Sequence, residues 1–262
     1  MEIARTQGGT AVSAVDQTVM VSAEAAARRA LCLAAIVTRA EFEYRILERT
    51  SAGKRSEEQE NHANDINLWL ETEGLSSSLS RAEIILLGSP LGEWSPQAIA
   101  NGQWRGEALA ALAWALGVVP AAGFDQPADP RALLAAVKFM QPATDLISNV
   151  ALRDEAELRG ARNVAELWLW RARSEQVLRQ KIAVPLPAGA TMESLILDAA
   201  AAAESDGVFR RINGDFPAQG RAYRELNDED ASLLRSIATE RLYALNWLCG
   251  TAPDWDAVAT AV

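Results

Sequence analysis

Leu234, Ile237, Arg241, Leu245 and Leu248 follow one another at spacings of 3, 4, 4 and 3, which sets a guanidinium in the apolar stripe of a helix. A buried guanidinium requires an acidic partner and several further acceptors. The segment Trp104-Arg105-Gly106-Glu107 offers the acid, immediately before a long run without charge. The pattern predicts that Arg241 pairs with Glu107. Two uses are open to such a pair: a core salt bridge that fixes helix register, or a charge presented to a ligand pocket. Arg105 and Asn246 stand beside it as candidates, Asn246 one turn from Arg241 and next to Trp247. An amide and a guanidinium near tryptophans can hold a carboxylate or a ring, and they can equally satisfy backbone groups where a helix ends. Trp104, Arg105, Glu107, Arg241, Asn246 and Trp247 form the candidate ligand-binding set.

Other residue types offer less. His62 is the one histidine, with Glu58 four residues before it and Asp65 three after. A shared helix face would permit a weak metal site, but with no second histidine or cysteine the spacing reads as a solvated histidine, and no metal site is assigned. Eight tryptophans are many for this length, and they read as core filling, with an aromatic box as the alternative. From Arg159 to Lys181 there are six basic residues against Glu166 and Glu175, a local basic face on an acidic chain. The sequence holds no phosphate-binding loop, no dinucleotide fingerprint, no nucleophile elbow and no paired-histidine zinc motif. Acids are plentiful, but nothing singles out a catalytic pair, so no catalytic residue and no cofactor is assigned.

The chain has 262 residues, 49% hydrophobic and 23% charged, an ordinary globular composition. Its net charge of −10 repels phosphate backbones and argues against nucleic-acid or anionic-membrane partners. Cys32 and Cys249 lie within apolar helical patterns and read as buried free thiols of a reducing cytoplasm. No apolar core of signal-peptide type is seen near the N-terminus. The uncharged stretch Ala108 to Phe124 is broken by Gly117 and Pro120, so a buried helix is expected rather than a membrane span.

The elements that must position these residues are helical. Ser22 caps a helix to about Glu48. Asn64 to Glu73 forms another, stopped by Gly74, and Ser80-Arg81-Ala82-Glu83 is a capping box for a short one. Ser95-Pro96 and Asp129-Pro130 each pair a cap with proline at the first helical position, the second helix running to about Met140. Because Ala108 to Val119 carries no charge on any face, this helix is expected to be the fully buried centre of the fold. A long helix with two apolar stripes spans Arg153 to Lys181, Thr191 caps Met192 to Ser205, and Asp228, Glu229 and Asp230 open a last helix ended by Gly250. Turn signals at Asp206-Gly207 and Asn213-Gly214 flank an extended segment. The expectation is an all-α fold: a flexible N-terminal arm over 1–21, then a single compact multi-helix domain over 22–262 with one short hairpin near residues 207–215.

Three blocks together resemble the bacterial domain of unknown function 4272 family. They are Ala27-Arg28-Arg29-Ala30-Leu31; Gln103 to Leu109 with Ala113-Trp114-Ala115-Leu116-Gly117; and Glu240-Arg241-Leu242-Tyr243-Ala244-Leu245-Asn246-Trp247-Leu248 with the Trp255-Asp256 tail. They span about residues 22 to 258. Leu242 departs from the pattern, which tends to carry histidine after Glu-Arg. The resemblance implies a bacterial, largely helical, soluble protein and no particular activity. The functional expectation is a cytoplasmic, non-catalytic protein that binds another protein or itself, of accessory or immunity type. The alternative is an enzyme or small-ligand receptor with a polar pocket at the N-terminal part of the central helix.

Overall fold

The computed structural model describes residues 19–49 and 57–260. Its long helices start where local capping chemistry places them. The Ser22 hydroxyl accepts from the Ala25 N–H (3.2 Å) to open α1 (Ala23–Arg49). Helix α2 (Glu57–Thr72) ends before Gly74, whose φ of +64° makes the left-handed stop. The capping box of α3 (Arg81–Gly88) is complete, Ser80 accepting from the Glu83 N–H and Glu83 from the Ser80 N–H. Ser95 caps α4 (Pro96–Ala115) and Asp129 caps α5 (Pro130–Ala136), each with proline in the first turn. The single turn α6 (Thr144–Ile147) carries no sequence signal and was not expected. Asp154, Thr191 and Asn227 cap α7 (Glu155–Gln180), α8 (Met192–Ser205) and α9 (Asp228–Leu248).

The architecture is all-α. Helix α4 packs between α1 and α9, and α7 packs on α9, so the four long helices form a row with α4 inside it. Close approach of α1 and α4 rests on small residues. At Gly102 an added Cβ would stand 2.7 Å from the Ala40 Cβ and 3.0 Å from the Trp94 ring, so this position has no room for a side chain.

The structure shifts several boundaries. Helix α4 is not buried throughout: Pro96, Gln97 and Asn101 are exposed, and continuous burial runs from Gly106 to Ala113. Its first turns are polar and its apolar run begins at Ala108, so only the later turns are drawn between α1 and α9. It ends at Ala115 because Gly117 takes the left-handed position (φ +73°). Helix α5 stops at Ala136, short of Met140, with Lys138 and Met140 both at positive φ. In the stretch 207–215 only the bridge Ile212–Asp215 forms. The hairpin proper, β1 (Pro217–Ala218) and β2 (Arg221–Ala222), lies just beyond it. Most of the expected arm lies outside the described residues. Its last part is tied down, the Val21 N–H donating to the Leu248 carbonyl (3.1 Å). Among the described residues no helix is long and apolar enough to cross a membrane.

Candidate functional site

The stripe of α9 carries Arg241 into the interior, where it is 4% exposed, and α4 brings Glu107 to meet it. Arg241 Nε and Nη2 donate to Glu107 Oε2 at 2.9 and 2.7 Å. Arg241 Nη1 donates to the carbonyls of Ala122 (3.0 Å) and Gly123 (2.7 Å), and Nη2 also reaches that of Gln126 (3.3 Å). The five N–H bonds of the guanidinium are all used. Glu107 Oε1 accepts from the Ala128 N–H at 2.8 Å. The pair therefore does more than set helix register: both partners grip the loop between α4 and α5.

The other expected residues find separate partners. Arg105 pairs with Glu240 at 2.9 Å and lies over the Tyr243 ring, 4.7 Å from its centroid. Burial pushes the Glu240 carboxyl up, against the pull of Arg105. Asn246 Oδ1 accepts from Arg162 Nε (2.7 Å) while its amide donates to the Ala259 carbonyl (2.8 Å), so it anchors the C-terminal segment. Trp247 meets Trp255 edge to face at 5.4 Å, and Trp104 is half-buried. His62 lies against Phe42, with ring centroids 6.0 Å apart, and the side chain of Glu58 falls outside the described residues. Among the described residues no group of three histidine, cysteine, aspartate or glutamate side chains is placed to hold a metal ion.

A cavity of about 610 Å³ is walled by α4, α7, α9, the 121–125 loop and the 208–220 segment. Trp114, Phe124, Trp168 and Phe209 give it an aromatic lining. Phe124 stacks on Trp168 at 5.6 Å with the rings 8° from parallel, and Phe209 meets Trp168 at 5.7 Å. Of the six candidate residues Arg241 lines this cavity. Trp247 lines a second cavity of about 590 Å³, with Arg29 and Trp255, and Trp104, Arg105, Glu107 and Asn246 line neither. The six thus do not converge on one pocket, and the hollow lies along the later turns of α4 rather than at its N-terminal part.

Sequence reasoning missed this lining because its rings come from four distant segments. It also missed three more buried arginines. Arg29 pairs with Glu83, Arg39 with Glu43 (2.8 Å), and Arg171 with both Asp215 (2.7 Å) and Glu175 (3.0 Å). The signal that revealed Arg241, an arginine within an apolar helical stripe, is present at Arg29 and Arg39, whereas Arg171 is followed one turn on by Ser174 and Glu175. Burial alone would raise the Asp215 carboxyl; Arg171 and the N–H groups of Phe216 and Arg224 outweigh it and hold the group below the usual carboxylate range.

The family model described as Domain of unknown function (DUF4272) matches residues 3–195. The chain belongs to this family. Within the DUF4272 match lie α1 to α7 and the start of α8, including Glu107, Trp114, Phe124 and Trp168. Phe209, Arg241 and the Glu240–Leu248 block lie beyond it. Searches of curated proteins and of solved structures returned no match.

Proposed function

We propose that this DUF4272 protein is a non-catalytic binding protein of the cytoplasm whose aromatic cavity takes a small apolar molecule. The cavity itself carries the reading. Its volume, about 610 Å³, falls within the range of ligand sites. Its walls combine side chains from three helices and two loops, and its one arginine is spent on holding a wall in place. Among the described residues lining it there is no histidine, cysteine, serine or threonine to act on a bound molecule. The buried, free thiols of Cys32 and Cys249 fit a reducing compartment.

A protein partner is the second reading, favoured by a different surface. Leu68 on α2 and Ile84 and Ile85 on α3 are 62%, 54% and 66% exposed, on helices joined by the Asn67 amide and the Leu87 carbonyl. Large apolar side chains left in water on adjoining elements suit a contact with another chain.

Titration with N-phenyl-1-naphthylamine, followed by native mass spectrometry, tests both. Saturable one-to-one binding is expected, abolished by Ala161→Phe, which fills the cavity from its half-buried wall. Absence of binding, or binding that Ala161→Phe leaves intact in a folded variant, would overturn the cavity reading. A second polypeptide held in stoichiometric amount would favour the protein-partner reading instead.

A further inference from the structure

We infer that the cavity selects an apolar molecule bearing a positive charge, and that Asp125 is the selecting residue. The inference rests on the reading of the cavity as a binding site. Among the described residues lining it, Arg241 and Asp125 are the ionisable groups. Arg241 has nothing to offer an anion: its five donors are bound and its charge is balanced by Glu107. Asp125 is different. It is half-buried in the cavity wall, and no side-chain hydrogen bond or ion pair engages its carboxylate among the described residues. The lining therefore has one uncompensated charge, and it is negative.

Two further features have the same sign. The lining rings offer electron-rich faces, and two of them already attract cations, Trp114 that of Arg153 at 4.9 Å and Phe124 that of Arg241 at 5.1 Å. The net charge of −10 attracts cations and repels anions at longer range. A fatty acid would bring a carboxylate to a carboxylate. A hydrophobic amine or quaternary ammonium compound would bury its apolar body among the rings and place its charge beside Asp125.

The test compares three molecules with the same tail: decyltrimethylammonium, decanol and decanoate. Each displaces N-phenyl-1-naphthylamine from the full chain near neutral pH, below its micellar concentration. The ammonium is expected to bind about tenfold tighter than decanoate, the effect of reversing one charge beside a single partly solvated carboxylate. Asp125→Asn is expected to bring that ratio close to one. If decanol binds but decanoate binds as tightly as the ammonium, or if Asp125→Asn leaves the ratio unchanged, the charge selection is overturned and the cavity reading survives. If neither decanol nor the neutral probe binds, the cavity reading fails and this inference fails with it.

Discussion

Replacing Glu107 with glutamine changes almost no volume and removes one buried charge. In the native protein Glu107 Oε2 receives both Nε and Nη2 of Arg241, and Oε1 receives the Ala128 N–H. A glutamine has one acceptor oxygen where the carboxylate has two. If that oxygen faces Arg241, the amide NH₂ confronts the Ala128 N–H. If it faces Ala128, the NH₂ confronts the guanidinium. Either way a donor meets a donor, and Arg241, 4% exposed, keeps a charge that no acid balances. Removing one partner of a buried pair costs about 3–5 kcal/mol. The carbonyls of Ala122, Gly123 and Gln126 still accept from Arg241 and temper the loss. The expected destabilisation is therefore about 3 kcal/mol, the low end of that range. At about 2–4 °C per kcal/mol for a chain of this size, the melting temperature should fall by about 6–12 °C. Denaturant unfolding followed by circular dichroism measures it directly. The double variant Glu107→Leu with Arg241→Met should lose less than the sum of its single changes, because it leaves no unpaired charge. A Glu107→Gln protein that melts with the wild type would refute the reasoning, and strictly additive losses in the double variant would refute the charge-balance part of it.

Two other expectations rest on geometry elsewhere. Gly102→Ala drives a methyl to 2.7 Å from the Ala40 Cβ, and the overpacking should destabilise by about 1–3 kcal/mol, read from the denaturation midpoint; an unchanged midpoint would show that α1 and α4 separate without cost. The second concerns pH. The Asp215 carboxyl is held below the ordinary aspartate value of about 3.9, so in that interval the unfolded chain binds more protons than the native one. The stabilisation is complete above the unfolded value and is lost as pH falls through the folded one. Asp215→Asn should be less stable than wild type at neutral pH, and the gap should narrow on acidification below about pH 4; a gap independent of pH would remove Asp215 from the acid response.

Much of the fold is legible locally. A cap and the N–H it serves are two or three residues apart, so Ser22, Ser80, Ser95, Asp129 and Thr191 announce their helices without reference to the rest of the chain. Stops are equally local where glycine supplies the positive φ, as at Gly74 and Gly250. They are hidden where another residue takes that conformation: Lys138 ends the α5 region without a glycine, which is why the helix is shorter than its pattern. The Arg241–Glu107 pair was also readable, because a guanidinium in an apolar stripe demands an acid and Glu107 adjoins the charge-free run.

The all-α class, the starts of the long helices, the burial of the later turns of α4 and the need of Arg241 for an acidic partner can all be read from local sequence. Each follows from interactions within a few residues or from the requirement that a buried charge be balanced. Packing between distant segments settles that Arg241 and Glu107 grip the loop at Ala122, Gly123, Gln126 and Ala128, and that Trp114, Phe124, Trp168 and Phe209 line one hollow. Those residues are joined by no local periodicity. They meet because α4, α7 and α9 pack side by side, and the space left between their side chains depends on how all three surfaces fit together.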